Sequence, residues 1–150
     1  MVRRAALVLA AAAFGSGCGY ISFQKPLTND EVRLEAEVRE YYDEVAQSFA
    51  TGNADALASL FLSSITHPMT QDQIRDWGRK FFADNGAAHF KLRKIEFEEL
   101  SYIRAAVTIS YVVETKGARG DFGGVEHDEL VRHQGRWFVA SWDKVQSAKP

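Results

Sequence analysis

The chain has 150 residues, 46% hydrophobic and 12% aromatic, with a formal net charge of −2. This is enough apolar material for one ordinary core at the common domain size of roughly 100 to 150 residues, and a mildly acidic chain without Lys/Arg blocks lacks the electrostatic footprint that grips phosphate backbones, which excludes nucleic acid as a partner. A single cysteine, Cys18, excludes an internal disulfide and a cysteine-based zinc site.

The first element in chain order is a leader. Arg3 and Arg4 precede an Ala-rich apolar run from Ala5 to Phe14, followed by the small residues Gly15, Ser16 and Gly17. This is the layout of a cleaved signal peptide, and the run is too short for a permanent span, which needs about 20 apolar residues. Loss of the leader removes two cations and no acid, leaving a more acidic mature chain.

Phe14-Gly15-Ser16-Gly17-Cys18 resembles the lipobox of bacterial lipoproteins. It departs from that pattern in having Gly15 where Leu is usual. The resemblance implies a signal peptide over 1–17, acylation of Cys18 with diacylglycerol and palmitate-type chains, a tether over 18–27, and a membrane as partner. Each buried methylene adds about 0.8 kcal/mol, so several chains make a durable anchor. Gly19 after the cysteine, in place of the Asp that holds such proteins in the inner membrane, implies the periplasmic face of the outer membrane in a diderm host. An ordinary secretory leader cut near Gly17 or Gly19 is the alternative.

Beyond the tether, Thr28 and Glu31 form a capping box that opens a long helix. Val38, Tyr41, Tyr42, Val45 and Phe49 share one of its faces, and Gly52 closes it. Asn53 caps a short helix running to Phe61. Ser63 to Met69 reads as loop because Pro68 disfavours helix at His67. Thr70 and Gln73 form a second capping box, for a helix with Ile74, Trp77 and Phe81 on one side and Gly86 at its end.

The period then changes from helical to alternating. Phe90 and Leu92, then Ile95 and Phe97, mark a strand whose phase slips near Lys94 as a bulge would cause. Ala105 to Thr115 alternates with two apolar faces, as a central strand does. A glycine-rich loop follows, and Val125 to His133 and Arg136 to Asp143 form a hairpin about Gln134-Gly135.

Three helices followed by about four antiparallel strands predict an α+β fold with helices covering one face of a curved sheet. Gly52-Asn53-Ala54-Asp55-Ala56-Leu57 after a long helix, and His133-Gln134-Gly135-Arg136-Trp137-Phe138-Val139 near the end, resemble the helix-turn-helix and terminal hairpin of the NTF2-like (SnoaL-like) superfamily. The resemblance spans residues 28–146, leaving 147–150 as a tail. It implies a cone with a pocket between the sheet and the helices, lined here by Tyr42, Trp77, Phe81, Tyr111, Trp137 and Ser141.

A two-residue turn at Gln134-Gly135 places Leu130 opposite Val139, Asp128 opposite Ser141 and Glu126 opposite Asp143. One face then gathers Glu126, Asp128 and Asp143 as candidate catalytic carboxylates, since crowded acids in a dry site raise one another's pKa. The alternative is that the strand ends project past the core and the three are solvated or paired with Arg132, Arg119 or Lys144. The other face carries His127, Glu129, Val131, His133, Phe138, Ala140 and Trp142, and the resemblance implies a homodimer surface through its apolar members. No His-x-x-x-His or Glu-x-x-His spacing supports a metal, and no cofactor fingerprint occurs. The first functional expectation is therefore an envelope lipoprotein whose non-catalytic domain binds a small apolar ligand or a partner protein. The alternatives are an isomerase or dehydratase-type enzyme using a pocket carboxylate, and a structural lipoprotein pairing through its outer sheet face.

Overall fold

The computed structural model describes residues 26–146. The leader, Cys18, the tether up to residue 25 and the tail 147–150 lie outside the described residues.

Helix α1 spans Asn29–Thr51, α2 Ala54–Ser59 and α3 Gln71–Asn85. Both capping boxes form: Thr28 and Thr70 each accept from the backbone N–H three residues on, while Glu31 and Gln73 reach back to the cap backbone. Gly52 ends α1 with φ 62, the left-handed conformation in which a Cβ is penalised. Asn53 caps α2 through Ala56. That helix is shorter than its sequence signal, stopping at Ser59 because the backbone of Leu60 and Leu62 turns to bond Val139.

Strands β1 (His89–Leu100), β2 (Arg104–Glu114), β3 (Phe122–His133) and β4 (Arg136–Gln146) form one antiparallel sheet in the order β1-β2-β3-β4. The strand read as central, β2, is internal. Register shifts at Arg93 and Glu98 in β1 supply the slip seen in the alternation and bend the sheet. Val107, Ile109, Tyr111, Val113, Leu130, Trp137 and Val139 face the helices, where they meet Leu34, Val38, Tyr41, Val45 and Phe49 of α1 and Leu57, Ile74 and Phe81 of α2 and α3. The result is the helix-lined cone expected of an NTF2-like domain.

One departure decides the site. Leu130 pairs with Val139 as expected, but Ala140 is extra: Glu129 then faces Ser141, Asp128 faces Trp142, His127 faces Asp143 and Glu126 faces Lys144. A one-residue bulge exchanges the two faces of every later residue. It lies where the free edge of β4 is covered, since Val139 donates to Leu60 O at 3.2 Å and accepts from Leu62 N at 2.9 Å. Phe61, between those two, packs on Trp142 with ring centroids 5.1 Å apart.

Candidate functional site

The concave face of the sheet and the helices enclose a cavity of about 230 Å³. Val45, Phe49, Leu57, Phe61, Ile74, Trp77, Phe90, Ile109, Val113, Phe122, Val139 and Trp142 give it apolar walls; Tyr42, Tyr111, Glu126, Asp128, Arg119 and Lys144 supply its polar groups. Its size exceeds the roughly 150 Å³ apolar cavity that accepts benzene and falls below the ~300 Å³ at which drug-sized pockets begin. One ring with a short substituent fits such a space.

Asp128 stands deepest, only 4% exposed. Alternation along β3 turns it inward, and helical spacing along α1 brings Tyr42 to meet it: the Tyr42 hydroxyl donates to Asp128 Oδ2 at 2.6 Å. The other oxygen, Oδ1, has no hydrogen-bond partner among the described residues. Burial is the main reason its pKa rises from 3.8 to about 7; the Tyr42 hydrogen bond opposes the rise and the charge of Glu126 adds to it. Tyr42 is itself held far above its ordinary value, first by burial and then by the neighbouring Asp128 charge. It therefore serves as a donor and not as a base.

Glu126, two residues along the same face, repeats the pairing nearer the surface. Tyr111 donates to Glu126 Oε1 at 2.7 Å. Burial raises the carboxyl, while the Tyr111 hydrogen bond and the charge of Lys144, opposite it on β4, pull it back. Tyr111 is raised strongly, again chiefly by burial and next by the Glu126 charge.

The expected residues thus divide. Glu126 and Asp128 come together in the cavity wall with Tyr42, Trp77 and Tyr111. Asp143 does not join them: the bulge turns it to the convex side, where it is 70% exposed and lies 2.9 Å from His67 Nε2. Ser141 is displaced with it and lies 3.4 Å from Glu129 Oε2. Trp142, expected outside, instead closes the cavity wall. Trp137 is buried in the core outside the cavity, its indole N–H donating to Glu37 Oε2 of α1 at 3.3 Å. Phe81 is buried behind Trp77, on which it stacks at 5.2 Å.

Sequence reasoning named Arg119 and Lys144 only as partners of solvated acids and not as cavity residues, and it missed the link from Tyr42 to Asp128. The signal for Lys144 and Trp142 was present in β4: bulky apolar residues at 137 and 139 resume at 142, the same slip that marked the bulge in β1. Among the described residues no three His, Cys, Asp or Glu side chains are grouped to hold a metal ion, and no helix is long and apolar enough to cross a membrane.

An aromatic-walled NTF2-like cone with two tyrosine-held carboxyls is the class that fold and site define. Among solved structures, the chain is similar to a Novosphingobium aromaticivorans protein provisionally described as a scytalone dehydratase (TM-score 0.69, 14% identity, 81% of this chain and 89% of that one). A second protein of that organism, provisionally described as an aromatic ring hydroxylase, matches with TM-score 0.66 and 15% identity over 85% and 94% of the two chains. A type 2 hexachlorocyclohexane dehydrochlorinase matches with TM-score 0.62 and 12% identity over 80% and 92%. At such identities the likeness establishes the fold alone. No protein-family model matches the sequence, and no curated protein does either.

Proposed function

We propose that the cone binds one small, largely apolar molecule bearing a polar group, with Asp128 and Tyr42 as the inner polar contact. The observation that carries this reading is a 4% exposed carboxyl whose Oδ1 has no protein partner, set in the wall of an otherwise apolar cavity. A buried polar atom left unpaired costs about 1 to 3 kcal/mol, and a ligand hydroxyl or carbonyl at Asp128 removes that cost. The test is calorimetric titration with single-ring alcohols, ketones and amides. Saturable binding is expected, and Ile109→Phe, which fills the cavity while the fold persists by thermal melt, is expected to abolish it. Absence of saturable binding, or binding indifferent to the filling, overturns the reading.

Proton transfer is a second reading, favoured by the same residue's titration. A carboxyl near pKa 7 is matched to acid or base work at neutral pH, and two structural neighbours are named for eliminations, a dehydratase and a dehydrochlorinase, which require a base. Asp128 would take a proton from a ligand carbon while Tyr42 holds its other oxygen. Exchange of the α-protons of a bound cyclic ketone with deuterium, followed by NMR, tests it. Asp128→Asn should abolish the exchange and preserve binding; exchange no faster than in buffer overturns it.

The leader would place this cone outside the cytoplasm, fastened by acylated Cys18 to the cell envelope. Intact mass of the membrane-extracted protein decides this, since acylation and loss of residues 1–17 are both read from one spectrum.

A further inference from the structure

The mouth of the cavity carries two cations that the fold leaves without carboxylate partners. Exposure rises along one direction, from buried Asp128 through half-buried Glu126 to exposed Lys144 and Arg119. Eight other lysines and arginines are held in ion pairs, but neither Arg119 nor Lys144 forms one among the described residues. Lys144 acts on Glu126 at longer range, lowering its pKa.

Arg119 is nevertheless positioned. Its guanidinium lies over the Phe122 ring, 4.4 Å from the centroid, a contact that holds the side chain without using its N–H donors, which can then bind an anion. Its backbone N–H donates to Asn85 Oδ1 at 3.2 Å. Two residues earlier, Gly117 packs so closely on the end of α3 that a Cβ there would overlap Asn85. The loop between β2 and β3 is thereby pinned to α3, with Arg119 at the cavity rim.

Counted formally with Glu126, the two cations leave the mouth with one net positive charge. Building on the binding reading above, we propose that the ligand is a monoanionic acid: a largely apolar ring or branched body fills the cavity, leaving its inner end free to carry the group that meets Asp128, and its carboxylate is held at the mouth by Arg119 and Lys144. One negative charge balances the mouth, whereas a phosphate dianion would overshoot it and meet Glu126. A charge-assisted hydrogen bond made by the acid and lost by its neutral analogue is worth about tenfold or more in affinity.

Phenylacetate and phenylacetamide, nearly identical in shape, form the test. They are titrated calorimetrically into the full domain at pH 6, where the probe's carboxyl is ionised. Phenylacetate is expected to bind at least about tenfold more tightly. In the double variant Arg119→Gln with Lys144→Gln, both at exposed positions and checked by thermal melt, the ratio is expected to fall to within about twofold. If the amide binds saturably and as tightly as the acid, the anionic-ligand inference is overturned while the cavity reading stands. An unchanged ratio in the double variant likewise overturns it. If no probe binds saturably, here or in the neutral panel, the cavity reading fails and takes this inference with it.

Discussion

Replacing Asp128 with Asn should make the protein more stable at pH 8 and nearly neutral in effect at pH 4. The folded carboxyl titrates near pH 7 against an ordinary value of 3.8, so between these limits the folded state binds more protons than the unfolded one. Stability therefore falls as pH rises across that window and levels off above it. At 1.36 kcal/mol per pH unit, full ionisation of Asp128 costs the fold on the order of 4 kcal/mol above pH 7, an upper figure because the cavity mouth admits water. Asn is close in shape and its carbonyl can accept the Tyr42 hydrogen bond that now ends on Oδ2, but it has no charge to desolvate. Urea unfolding of both proteins at pH 4, 6 and 8 reads the difference directly. Glu126 shifts in the same direction, but it is present in both proteins and largely cancels. The expected pattern is a gap of about zero at pH 4 that widens in favour of the variant by a few kcal/mol at pH 8. A gap independent of pH would show that Asp128 titrates normally, and the account of a desolvated carboxyl would fall.

Tyr42→Phe removes the hydroxyl that opposes the rise of Asp128; its loss should be about 1 to 3 kcal/mol larger at pH 8 than at pH 5, and equal losses in the same urea series would refute the pairing. Leu130→Ala empties a fully buried position on the same strand and should cost about 2 to 5 kcal/mol at every pH, a control whose pH dependence should be flat. Thr70→Ala removes the side chain that accepts from Gln73 N at 3.3 Å and should cost about 1 kcal/mol, read as a lower thermal midpoint; no loss would mean the capping box does not hold α3.

Local chemistry was legible in the sequence wherever one segment carried its own signal. Both capping boxes, Gly52 after α1 and the hairpin turn with Gln134 and Gly135 at positive φ depend on residues a few positions apart. The bulge in β1 was equally local. The carboxyl pair was half legible: alternation puts Glu126 and Asp128 on one face, but it does not say how deeply each is buried. That depth depends on Tyr42, 86 residues earlier in the chain, and on walls drawn from all three helices. The place of Arg119 at the cavity rim was illegible for the same reason, since it follows from Gly117 meeting α3 across the tertiary structure. Trp137 shows the opposite limit. Its face was assigned correctly, yet a hydrogen bond to Glu37 keeps it in the core and out of the cavity.

The bulge at Ala140 does more than correct a register. Without it, Asp143 and Ser141 would line the cavity and three carboxyls would share one apolar wall, each raising the others and each paying for desolvation. With it, Trp142 closes the apolar wall and Lys144 comes to the mouth. The two remaining acids then differ by depth: Glu126 is drawn back toward its ionised form by Lys144 and Tyr111, while Asp128, farther in, is left near pH 7. A single inserted residue on an edge strand thus converts a repulsive cluster into a graded pair, its rim acid drawn back by a cation and its inner acid titrating near neutrality. Ligand recognition at the mouth and proton exchange at Asp128 are separable for this reason, and a substitution at one end need not disable the other.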